Sequence, residues 1–208
     1  MFSRFSDAFC RKLRQAYRLR DDPIIHCDLI VALGYGLLKN GNLPDATVRA
    51  FWRASALAAA HPRATVVLVN QNYLGDGTRE TERMRKLELV RRSPFSERIV
   101  VARTPCVNSI GEAWAVLAET ISRGLDKRDV VVVCDEAHMR SVKLIWSRVF
   151  RQSRIMLSSI EAWWEKEHIL PFCRSPWRWF FSNIVRHAFL RVLGLSLMMR
   201  LHQPVGRS

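Results

Sequence analysis

The chain is predicted to be an α/β protein: a Rossmann-like, doubly wound, mostly parallel sheet of about five strands with helices on both faces, plus a C-terminal helical appendage. Three observations carry that expectation. Four short, β-branched runs are uniformly apolar, as strands are when a parallel sheet is covered on both faces. A helix-length segment follows each run, so strand and helix alternate with connections long enough for right-handed crossovers. After residue 158 the alternation stops and an aromatic, basic, helical tail begins.

The elements follow in order. The first 20 residues are basic and set Phe2, Phe5, Phe9, Leu13 and Tyr17 on one helical stripe, which Asp21-Asp22-Pro23 ends. The first apolar run starts at Asp28 and passes through Leu33 into Gly34-Tyr35-Gly36. Beyond a loop with Gly41 and Pro44, Asp45 is the expected N-cap of a helix over 46–60 that stops at His61-Pro62. The second run, Thr65 to Val69, ends in Asn70-Gln71-Asn72. A Gly75-Asp76-Gly77 turn and a strongly charged helix over 79–91 come next. Ile99 to Ala102 is the third strand, and its loop leads through Pro105 and Cys106 to a helix over 110–123 closed by Gly124. Val130 to Cys134 runs into Asp135-Glu136-Ala137-His138 and a helix over 137–150. A weaker fifth strand is expected at Ile155-Met156-Leu157. The tail carries Trp163-Trp164, then Trp177-Arg178-Trp179-Phe180-Phe181, then a basic apolar helix to about 201. The expected organisation is a basic helix over 1–22, an α/β domain over 23–158 and the appendage over 159–208.

Composition narrows the partners. A chain of 208 residues is long enough for one α/β domain with a full core. The net charge of +14, supplied mostly by Arg, attracts phosphate-rich partners: an anionic small molecule, anionic lipid or nucleic acid. No helix-turn-helix, zinc or RNA-recognition motif accompanies the charge, so nucleic acid is not expected. The five cysteines (Cys10, Cys27, Cys106, Cys134, Cys173) form no CxxC pair, which speaks against a structural zinc site or a disulfide framework. Reduced thiols in a cytoplasmic protein are the simplest account. The N-terminus lacks a signal-peptide stretch, and the most apolar window, Ile184 to Leu201, is broken by Arg186, His187, Arg191 and Arg200. The expected location is therefore the cytoplasm, with a peripheral place at the inner membrane face left open.

In doubly wound sheets ligands bind at the carboxyl ends of the strands, and here those ends are polar. Gly34 and Gly36 allow a tight turn whose amides approach an anion. Arg49, with Thr47, heads the next helix and adds a fixed positive charge. Asn70 and Asn72 supply amide side chains after the second strand. Ser109 followed by Glu112 matches a capping box, which leaves Asn108 to contact a ligand. His138 is the candidate general acid or base, oriented by Asp135 or Glu112. The plain alternative has Asp135 capping the next helix and His138 making a surface hydrogen bond. The candidate catalytic set is therefore His138, Glu112 and Asp135, and the ligand-binding set is Gly34, Gly36, Arg49, Asn70, Asn72, Asn108 and Ser109. The ligands around His138 are too few for a metal, and none is assigned.

Taken in order, these residues resemble the SanA/YdcF-like family, the domain of unknown function 218. The resemblance runs from Asp28–Gly36 through Thr47 and Arg49 to Asn108, Ser109 and Glu112, and ends at Val130 to His138-Met139, covering about residues 26 to 158. The chain departs from the family pattern in three places. Asn70-Gln71-Asn72 replaces Ser-Gly-Gly, the turn glutamate is displaced by one position with Gly111 before Glu112, and Ser141 stands where Arg is usual. The resemblance implies a Rossmann-like three-layer fold and a link to bacterial cell-envelope or cell-wall biology, without naming a reaction.

Two functions are expected from these features. The first is binding of an anionic small molecule, a nucleotide or a phosphorylated envelope precursor. The acid–base groups fit a transferase or hydrolase, but no nucleophile stands out, so whether the protein is an enzyme stays open, as does the cofactor, with S-adenosylmethionine or a nucleotide as candidates. The second is a non-catalytic, membrane-peripheral role in which Trp177, Trp179, Phe180 and Phe181 with Arg174, Arg178 and Arg186 form an interfacial helix. The substrate and the oligomeric state stay open.

Overall fold

The computed structural model describes residues 2–70, 76–161 and 164–192, with side chains throughout except at 2–8 and 76–80. Strands β1 (Leu29–Ala32), β2 (Thr65–Leu68), β3 (Ile99–Val101), β4 (Asp129–Asp135) and β5 (Arg154–Ile160) form one sheet in the order β3-β2-β1-β4-β5. All its pairings are parallel. Its helices are α1 (Phe2–Tyr17), α2 (Asp45–Ala60), α3 (Asp76–Arg91), α4 (Ser109–Ser122), α5 (Met139–Val149) and α6 (Pro176–Val192). This is the doubly wound α/β arrangement that the alternating runs predict.

Alternate strand residues feed two cores. Ile30, Val66, Val131 and Met156 pack with Ala50, Phe51 and Ala54 of α2 and Leu89 of α3. Leu29, Val31, Val67 and Val132 pack with Ala113 of α4 and with Val142, Ile145 and Trp146 of α5. β1 and β4 are buried on both faces, which is why their sequence shows no polar alternation. The order of strands puts the topological switch between β1 and β4.

Three local expectations shift. Pro44, not Asp45, is the N-cap of α2, and Asp45 takes the first turn, where its charge faces the positive helix end. The helix expected over 137–150 begins at Met139, after a turn closed by His138 N donating to Asp135 O at 3.0 Å. The fifth strand is seven residues long, not three. It is an edge strand, so Arg154, Ser158 and Ser159 interrupt the apolar run that marks interior strands. Its free edge is covered by the segment after α1: Asp22 N donates to Leu157 O, and Asp22 Oδ2 and Asp21 Oδ1 accept from Leu157 N and Ser159 N.

The tail folds back over the strand ends. The loop after β1 pairs with residues 167–169, through Lys39 N to Glu167 O and Ile169 N to Leu37 O. α6 then crosses the sheet end: Trp179 and Phe180 enter the α2-side core, while Leu190 enters the α4–α5 side. Phe180 meets Tyr17 of α1 edge to face, with 5.5 Å between ring centroids. The tail aromatics expected at a membrane interface are thus divided, with Trp179 and Phe180 in the core and Phe181 half-exposed. The stretch from 193 to 201, expected to continue the helix, lies outside the described residues, as do the side chains of Phe2 and Phe5. No helix among the described residues is long and apolar enough to cross a membrane.

Candidate functional site

β1 delivers Gly34-Tyr35-Gly36 to the switch point, with Gly36 at φ 76°, a left-handed conformation that suits glycine. Tyr35 is locked from three sides. Its N–H donates to Thr47 Oγ1 of α2 at 3.0 Å, its Oη accepts from Asp135 N at 2.6 Å, and its carbonyl accepts from His168 Nε2. Burial foremost, helped by the neighbouring Asp135, pushes the phenol far above its usual range, so Tyr35 stays neutral.

β4 delivers Asp135 and His138. Asp135 Oδ1 accepts from Ala137 N at 2.7 Å and from Trp179 Nε1 at 3.0 Å. Oδ2 is buried without a partner among the described residues, and desolvation raises the carboxyl to about 6 against the favourable field of Arg14. The His138 ring is turned the other way. Its Nε2 lies 3.1 Å from Ser109 Oγ at the head of α4 and 3.0 Å from Arg186 Nη1 of α6, and Arg186 Nη1 is 3.3 Å from Ser109 Oγ. Arg186 can only donate, so Nε2 is the unprotonated ring nitrogen and the proton sits on Nδ1. Burial, then the Arg186 charge, holds His138 well below the usual imidazole range. The result is a neutral base in hydrogen-bond reach of a hydroxyl, with a guanidinium touching both.

The carboxylates expected to orient His138 do not do so. Nδ1 has no hydrogen-bond partner among the described residues, and the Asp135 acceptor in use is committed to Ala137 and Trp179. Glu112 is buried one turn into α4, where its charge helps raise the Cys106 thiol, after burial itself. The helix cap is also exchanged relative to expectation. Asn108 is the N-cap, its Oδ1 accepting from Ile110 N and Gly111 N, and this frees Ser109 to face His138. Gly111 faces Cys106, where an added Cβ would lie 3.2 Å from that residue's Cβ, a close approach that favours glycine.

Other expected ligand groups lie apart from this cluster. Arg49 is ion-paired with Asp45 at 2.6 Å on α2. Asn70 is fully buried with both side-chain polar atoms unpartnered among the described residues, while its carbonyl accepts from Cys106 N and Sγ. Asn72 lies outside the described residues. Next to Asn70 the charged α3 hides a buried Glu82–Lys86 ion pair whose ammonium also donates to Val69 O. Sequence reading missed this pair, because Glu and Lys four apart on a charged helix look like a solvated surface pair.

The space over the switch point is small. Gly34, Tyr35, Ser109, His138 and Arg186 line a crevice with Phe172, Cys173 and Trp179, and only about 20 Å³ is left in it, room for about one water. A ligand as large as the nucleotide expected at Gly34 and Gly36 does not fit in that crevice with α6 in place. On the other side of Ser109 and Arg186 a groove of about 570 Å³ opens between α4, α5 and α6, a size that suits a small ligand. The site's missed members are thus Arg186, Trp179 and Phe172, which sequence reading placed with the tail or left unassigned. Among the described residues, one further cluster of potential metal ligands occurs: His26, Asp28 and Asp129, at the opposite end of the sheet. There the carboxylates are engaged, Asp28 with Asp129 N and Asp129 with Arg154.

The chain matches no protein-family model, no curated protein and no solved structure.

Proposed function

We propose that the protein binds an anionic small molecule at the mouth of the groove, where Arg186, Ser109 and His138 meet, and that this set acts on an ester of the bound anion. One observation carries the reading: a guanidinium, a hydroxyl and a neutral imidazole lie within 3.3 Å of one another beside a ligand-sized groove. Arg186 is the anion's counter-charge. Ser109 Oγ attacks the ester centre as His138 Nε2 takes its proton, the bond to the leaving oxygen breaks and that oxygen takes the proton. Water, or an acceptor alcohol in transfer, then cleaves the Ser109 ester and returns a proton to Oγ through His138. The reading agrees with the link to cell-envelope biology that the SanA/YdcF-like resemblance implies, and that family assignment is itself part of the proposal.

Calorimetric titration at neutral pH with phenyl phosphate and with phenol tests it. Phenyl phosphate binds, phenol does not, and Arg186→Gln weakens binding roughly tenfold or more, the value of a charge-assisted hydrogen bond. Equal binding by wild type and Arg186→Gln defeats the assignment.

A second reading has its own observation. Phe181, Val185, Phe189 and Val192 are 53%, 57%, 55% and 82% exposed at helical spacing on α6, and Arg178 and Arg191 are exposed on the same helix. We infer an anionic membrane surface as the partner of this stripe. Co-sedimentation with phosphatidylglycerol-containing vesicles checks it: Val185→Glu with Phe189→Glu abolishes an association that neutral phosphatidylcholine vesicles do not support. Retention by both vesicle types, or by the double variant, counts against it.

A further inference from the structure

The groove differs chemically along its length, and this difference identifies the class of ligand. Its apolar lining comes from Val107, Ile110, Ile145, Phe172, Val185, Phe189 and Leu190. Its polar lining is Asn108, Ser109, Ser182 and Arg186, and among the described residues no carboxylate lines it. The Ser182 hydroxyl donates to Trp179 O and the Ser109 proton is directed at His138 Nε2, which leaves the Arg186 guanidinium and the Asn108 amide as its donors. Ser109 and Arg186 also line the crevice against His138, so the guanidinium sits where groove and crevice meet.

From this layout we propose that the ligand is a single-chain anionic amphiphile, an alkyl, acyl or prenyl chain ending in a phosphate or carboxylate. Its headgroup sits on Arg186, beside Asn108, and its chain lies along Ile110, Ile145, Val185 and Phe189. This inference rests on the anion-binding role given to Arg186 above and adds the chemistry of the rest of the molecule. A nucleoside fits the groove poorly. Its base and ribose carry hydrogen-bonding groups around their edges, and burying them against these apolar residues would leave them unpaired. An alkyl chain has no such groups and gains from every methylene removed from water. The positive chain, at +14, supplies long-range attraction for the same headgroup.

Titration with an n-alkyl phosphate series from ethyl to octyl, kept below micelle-forming concentration, tests the assignment on the intact protein. Kd falls about fourfold for each added methylene until the groove is filled. Octyltrimethylammonium, with the same chain and the opposite charge, binds far more weakly than octyl phosphate. Arg186→Gln weakens every member of the series by a similar factor. Val185→Gln with Phe189→Gln, which adds no charge beside Arg186, flattens the chain-length dependence and weakens ethyl phosphate far less than octyl phosphate. Both residues are more than half exposed, so the pair is compatible with folding, which circular dichroism verifies. A flat series, with ethyl and octyl phosphate bound equally, overturns the amphiphile and leaves the anion site standing. Absence of binding by the whole series overturns both. Equal binding of octyl phosphate and octyltrimethylammonium shows an unspecific apolar surface and overturns the proposal.

Discussion

Trp179→Ala is expected to lower the free energy of unfolding by about 3–5 kcal/mol, the range for deleting a large aromatic side chain from a packed core. Trp179 is 6% exposed, and its ring meets Tyr35, His138 and Phe172 at centroid distances of 5.9, 6.0 and 6.0 Å. Its indole N–H supplies one of the two hydrogen bonds to Asp135 Oδ1. The substitution therefore creates a cavity and removes a donor from a buried carboxyl at the same time. Trp179→Phe separates the two effects, since it keeps most of the packing and loses the donor, at a cost of about 1–3 kcal/mol. Urea denaturation of the three proteins gives the comparison. A loss below about 1 kcal/mol for Trp179→Ala would show that the tail does not seal the strand ends. The same variant enlarges the crevice beside Gly34, so any ligand bound only by Trp179→Ala occupies the switch point and not the groove.

That experiment bears on the part of the molecule the sequence could not reveal. The parallel sheet was legible because β1, β2 and β4 are covered on both faces, and only apolar, β-branched residues satisfy that environment. β5 was read short because an edge strand tolerates Arg154 and the two serines near its end. At the site, His138 and Ser109 were legible as polar residues at strand and helix ends, but their pairing was not. Asn108 and Ser109 are both good caps, and the Ser-x-x-Glu spacing favoured the second, whereas the backbone placed the first at the N-cap. Glu112 is buried in the fold instead of serving as the solvent-facing partner of a capping box. Arg186 is 48 residues from His138, and no periodicity or motif links a tail helix to a particular strand end. Such contacts come from tertiary packing, to which local patterns are blind.

Asp135→Asn is expected to stabilise the protein at neutral pH by about 2–3 kcal/mol and to leave it nearly unchanged at about pH 4. Asp135 is fully buried, and its carboxyl rises from the ordinary 3.8 to about 6, chiefly by desolvation, with Arg14, Trp179 and Ala137 opposing. Because the folded value lies above the unfolded one, the stability linked to this group is fully present below about 3.8. It is lost as pH rises through about 6. A tenfold change in the acid dissociation constant corresponds to about 1.4 kcal/mol, which sets the size of the expected gain. Asparagine keeps an oxygen for Ala137 N and Trp179 Nε1 and carries no charge to desolvate. Denaturation midpoints of both proteins between about pH 4 and pH 8 should therefore diverge as pH rises, with the variant ahead. A constant difference across that range would mean that Asp135 does not titrate in it. Persistence of an ionised, partly unpaired carboxylate beneath Trp179 costs stability that a purely structural turn does not require, since asparagine makes the same turn. If Asp135→Asn gains stability and weakens binding of the alkyl phosphates, the carboxyl belongs to the site; if it gains stability with binding unchanged, its role ends at the turn.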